Sequence, residues 1–189
     1  MKYDVKKITG AALLLAIEIV LQTIGNYISL GPISINLSLI PIALGAILYG
    51  PFIGALLGLM NGVVVLFAPS TQAIFMAYAP LGTVLTCLLK CTIAGFVAGL
   101  VLRLIEKKNV LVATVIASLL VPIINTGLFA VGAFTIMIKA IENLNGGNAN
   151  LMRFVFLTMI GWNFIFEFSA TAILSTTLAR IINIIKKEQ

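Results

Sequence analysis

The chain has 189 residues, 61% of them hydrophobic and 10% charged, with a net charge of +6 and no histidine; its mean hydropathy is +1.16. A water-soluble domain of this length has neither the interior volume to hide so much apolar surface nor so few charges for its exterior. What remains is an all-α polytopic membrane protein, a bundle of spanning helices that each take roughly 20 mostly apolar residues. Without histidine the usual general base and the HExxH metalloprotease motif are excluded, and no Walker A sequence for ATP hydrolysis is present.

Apolar runs between charge clusters and Gly/Pro breaks predict one transmembrane domain over residues 1–189. Its six helices fall at roughly 8–27, 37–50, 52–68, 79–103, 110–138 and 152–182. The first run is too long for a cleavable signal peptide and lacks a small-x-small cleavage site. Within helix 1, the stretch AALLLAIEIVLQ places Ala12 and Ala16 one turn apart on one face. Glu18 points well away from them and begins a polar stripe with Gln22 and Asn26.

The segment YISLGPISIN that follows carries Asn36, and is more apolar than a free loop, so it is expected to pack as a lid. Helices 2 and 3 are short and joined by Tyr49-Gly50-Pro51, a turn with proline placed to open the next helix. Helix 3 contributes Asn61 and a ridge of Gly50, Gly54, Gly58 and Gly62, which reads as a packing seam. The next connection, APSTQAIFMAYAP, holds Tyr78 and is expected to form a second lid.

Helix 4 carries a stripe of Thr83, Thr86 and Lys90, and repeats the glycine spacing at Gly95 and Gly99. Its Cys87 and Cys91 are too poorly placed for a disulfide and too few for a metal, so they read as small packing residues. Helix 5 adds Asn125 and Thr126 after Pro122. The connection KAIENLNGGNANLMR reads as a mobile loop, and helix 6 presents Asn163, Glu167 and Thr171.

Lysine and arginine orient the bundle. Lys2, Lys6, Lys7, Arg103, Lys107, Lys108, Arg180, Lys186 and Lys187 collect on the side of the termini, against Lys139 and Arg153 on the other. By the positive-inside rule both termini face the cytoplasm. This asymmetry accounts for the basic balance without nucleic acid. The polar stripes then lie between the bilayer midplane and its outer half, where an ionisable group is costly unless it faces the bundle interior and pairs or binds. Any one of these residues could be helix–helix glue or ligand contact. As a set, Glu18, Gln22, Asn26, Asn36, Asn61, Tyr78, Thr86, Lys90, Asn125, Asn163 and Glu167 favour a binding cavity. Glu18 and Glu167 share one base, Lys90, so one acid must be protonated or bind something positive.

The six helices, the linked pair IPIALGAILYGPFIGALLGLMNG, the Ala-x-x-x-Ala of helix 1 and the cytoplasmic termini resemble the substrate-binding S components of energy-coupling factor (ECF) vitamin transporters. The resemblance implies capture of a water-soluble vitamin or related micronutrient near the outer face of a prokaryotic plasma membrane. It implies release powered by a transmembrane coupling protein and two ATPases, with no cofactor or metal. It makes Ala12 and Ala16 the docking surface for the coupling protein, and Glu18 an inward residue of the cavity. Segments typical of biotin, thiamin and riboflavin binders are missing. LLKCTIAGFVAGL resembles helix 4 of several members, pantothenate-type ones among them, with Lys90 in place of an arginine. A self-sufficient small secondary transporter or channel using Glu18 and Glu167 is the alternative, though no internal repeat supports the transporter. A membrane enzyme is remote, because no nucleophile–base pair is present.

Overall fold

A computed structural model of the chain describes residues 5–28, 34–146 and 150–187. Lys2, residues 29–33 of the first connection and residues 147–149 of the third lie outside them, as do the side chains of Lys6, Thr176 and residues 178–187. Among the described residues eight α-helices follow in chain order: α1 Val5–Asn26, α2 Leu39–Tyr49, α3 Pro51–Leu66, α4 Pro80–Ile105, α5 Val110–Phe134, α6 Ile138–Leu144, α7 Leu151–Arg153 and α8 Trp162–Lys187. Two π-helical stretches, Thr71–Met76 and Phe154–Gly161, precede α4 and α8.

Among the described residues, four helical stretches are long and apolar enough to cross a bilayer: Lys7–Asn26, Pro80–Ile105, Val110–Phe134 and Leu151–Ser175. The predicted short pair is α2 and α3. Gly50 turns between them at φ 97°, a left-handed geometry that favours glycine, and Pro51 occupies the first turn of α3. Because α2 has only 11 residues, it begins inside the bundle rather than at its edge.

The residues just before α2 are correspondingly internal. Ile35 and Asn36 are buried, and the Ile35 N–H donates to the Ile28 carbonyl at 3.0 Å. The expected lid over the bundle is, in its described part, a chain segment folded into it. The second connection packs as expected, with Phe75 and Thr71 buried.

The third connection differs from expectation. Helix 5 was expected to run on to about residue 138. Instead it ends at Phe134, where the Ile136 and Met137 N–H groups both turn back to the Gly132 carbonyl. The chain then forms α6, whose Ala140 and Ile141 are fully buried. Asparagine and glycine concealed this short amphipathic helix inside an apparent loop.

Two apolar clusters flank the middle of the molecule. One joins α1 to α5 around Leu39, Ile42, Leu57, Ala94 and Ala117. The other gathers Phe75, Met137, Ile141, Val155 and Met159 from both π-helical stretches and α6.

Candidate binding site

Helices α3 and α4 approach so closely that a β-carbon on Gly58 would strike the Cys91 carbonyl, and one on Gly62 would lie 2.5 Å from the Cys87 carbonyl. This contact brings Asn61 of α3 against Cys91 of α4. Asn61 Nδ2 donates to Cys91 Sγ at 3.0 Å, and the thiol donates to Asn125 Oδ1 of α5 at 3.1 Å. Asn36 joins the same network. Its Oδ1 accepts from Ser38 Oγ at 2.7 Å and from Asn61 Nδ2 at 3.4 Å, while its backbone N–H donates to Glu167 Oε1 of α8 at 2.9 Å. Cys91 is therefore more than the expected packing residue: it joins the amides of Asn36, Asn61 and Asn125.

Two small adjoining chambers lie beside this network, with cavity volumes of about 40 and 30 Å³. Ser34, Asn36, Lys90 and Phe129 belong to both, so Lys90 stands on the partition. The first chamber adds Asn125, Thr126, Asn163, Phe164 and Glu167. The second adds Gln22, Thr71, Thr83 and Thr86. Lys90 is nine-tenths buried, and its Nζ lies 5.4 Å from the centre of the Phe129 ring, a cation–π contact. It forms no ion pair among the described residues. Glu167 lines the first chamber with it, within reach of its charge but not in direct contact.

The predicted residues divide by location. Asn36, Lys90, Asn125, Asn163 and Glu167 meet at the first chamber, and Gln22 and Thr86 join Asn36 and Lys90 at the second. Asn61 is buried behind them and holds Asn36 in place. Glu18 is fully buried but lines neither chamber. Asn26 faces a shallow depression with Tyr27 and Phe67. Tyr78, half exposed, lines a separate surface groove with Pro80 and Lys139.

Ser34, Phe129 and Phe164 were missed by reading the sequence. Ser34 had a detectable signal: Ser34, Asn36 and Ser38 alternate with Ile35 and Leu37, the period of an extended segment with one polar face. Phe129 follows Asn125 by one helical turn, but an apolar residue on an apolar helix carries no mark of its own. On the opposite side of α1 from Glu18, Ala12 and Ala16 are exposed.

A buried cation, an aromatic wall, amides and hydroxyls inside a helical membrane bundle have the character of a small-molecule site. The model of the family described as "ECF transporter, substrate-specific component" matches residues 6–183. The chain belongs to this family: it is the substrate-specific subunit of an ECF transporter, a multi-pass protein of the prokaryotic plasma membrane that works with an ECF module. No curated protein and no solved structure matches it.

Proposed function

We propose that the chain captures a water-soluble, carboxylate-bearing micronutrient of the vitamin class from the outer side, in the two chambers around Lys90. The observation that carries this reading is Lys90 itself, a buried cation in no direct ion pair among the described residues, facing both chambers. An anionic group beside Nζ would pair with this charge, with Thr86 as a hydroxyl donor on one side. Asn125, Asn163 and Glu167 would receive hydrogen-bond donors of the same molecule on the other, against Phe129 and Phe164. Pantothenate, with one carboxylate, two hydroxyls and an amide, is a solute of suitable chemistry. The exposed Ala12 and Ala16 would meet the coupling protein, which with its two ATPases releases the solute inside.

Mass spectrometry of small molecules retained through purification identifies the solute, and titration calorimetry then measures it. Lys90→Met keeps much of the packing of the stem and removes the charge. It should weaken binding by about 2–4 kcal/mol, because an anionic group is left desolvated and unpaired. Unchanged affinity with a lower melting temperature would make Lys90 a structural residue and remove the carboxylate from the proposal.

A further inference from the structure

We propose that Glu18, Gln22 and Asn61 hold a monovalent metal cation between α1 and α3, next to the second chamber. Glu18 is 0% exposed, and neither of its carboxylate oxygens has a hydrogen-bond partner. It takes part in no ion pair among the described residues. Lys90, the base the sequence offers at similar depth, faces the chambers and Phe129 instead. An ionised carboxylate in this position is very costly without a positive partner.

Two neighbouring amides are turned in a consistent way. Gln22 lies one turn beyond Glu18 on the same face. Its Nε2 donates to Asn26 Oδ1 at 2.8 Å, and its Oε1 is buried without a partner. Asn61 spends its Nδ2 on Cys91 and leaves Oδ1 buried without a partner. Both are at most 1% exposed.

Helix contacts place the three at one level. Along α1, Gly10 abuts the Tyr49 ring and Gly25 abuts Ile35 and Leu37, which sets Glu18 beside Pro41 and Ile42 of α2. Between α2 and α3, Gly45 abuts Leu57 and Gly54 abuts Ala46, which sets that same level beside Gly58–Asn61. Helix α1 packs directly on both α2 and α3.

Four acceptor oxygens on the packed helices α1 and α3 are thus buried without a donor: Glu18 Oε1 and Oε2, Gln22 Oε1 and Asn61 Oδ1. Buried polar atoms in folded proteins are nearly always satisfied. A proton on Glu18 would serve one acceptor and leave others orphaned. A metal cation serves all four, and an all-oxygen set suits a hard ion. The single negative charge matches a single positive one, whereas a divalent ion would leave an uncompensated charge in the bundle. Gln22 also lines the second chamber, so the bound ion fixes part of its wall.

The test needs no substrate, so its outcome is independent of what the chambers bind. The purified full-length protein is melted in choline chloride, and sodium or potassium then replaces choline at constant ionic strength. One of the two ions should raise the melting temperature saturably, as a ligand selective for the folded state does. Glu18→Gln keeps the side-chain shape and should abolish the rise, while Glu142→Gln on the exposed face of α6 should retain it. If Glu18→Gln does not fold, Gln22→Leu serves in its place and should weaken the ion's midpoint roughly tenfold or more. Equal melting in all three salts, or a rise that survives both site variants, overturns the proposal. Stabilisation by acid alone, without any alkali-ion effect, also overturns it and gives Glu18 a proton instead.

Discussion

Asn36 ties together more of the molecule than any other site residue. Its main chain holds Glu167 of α8, and its side chain holds Ser38 and Asn61. Asn36→Ala removes the acceptor for Ser38 Oγ and leaves that hydroxyl buried and unmatched, so it should destabilise the protein by about 1–3 kcal/mol. Ser38→Ala removes the donor instead and leaves Asn36 Oδ1 with Asn61, so its cost should be smaller, about 1 kcal/mol. Melting of the two purified variants side by side checks the order. Equal losses would mean the amide is held by its neighbours rather than holding them. Residue types were legible in the sequence because polar groups on apolar helices stand out. Their partners were not: nothing in one dimension says that Lys90 faces Phe129 while Glu18 lies behind Gln22.

At the scale of elements, the small-xxx-small spacing of α3 and α4 foretold close contact, and the backbones do meet there. Gly58→Ala should therefore be damaging, since its β-carbon runs into the Cys91 carbonyl rather than into a side chain that can move. A cost of about 1–3 kcal/mol is expected from overpacking, together with a looser Asn61–Cys91 contact and weaker substrate binding. Gly127 of α5 has nothing within 4 Å of its β-position. Gly127→Ala should be neutral or stabilising by up to about 1 kcal/mol, as alanine is the better helix former. Comparable losses in the two variants would show that α3 and α4 can separate without consequence. The long helices were legible from their apolar runs. Helix α6 and the two π-helical stretches were not, because they are short and their packing against one another around Phe75, Ile141 and Met159 is tertiary.

For the whole molecule, α1 carries two unlike surfaces. Its inner side holds Glu18 and Gln22, both essentially without solvent contact. Its outer side presents Ala12 and Ala16 beside exposed Leu13 and Ile17. Small residues let another helix approach the backbone closely, and in a membrane such packing must drive association, since lipid offers no hydrophobic contrast. If this is the docking face, Ala16→Trp should block assembly with the coupling protein and abolish ATP-driven uptake. The chambers lie on the other side of the helix, so affinity for the retained solute should stay within about twofold, as expected for sites without shared contacts. Pull-down of the ECF module and calorimetry on the isolated subunit separate the two effects. Intact assembly with lost affinity would mean that α1 is oriented the other way, with its alanines toward the solute path and Glu18 toward the partner. Loss of both would make α1 a single mechanical unit, in which docking on one face moves Gln22 on the other.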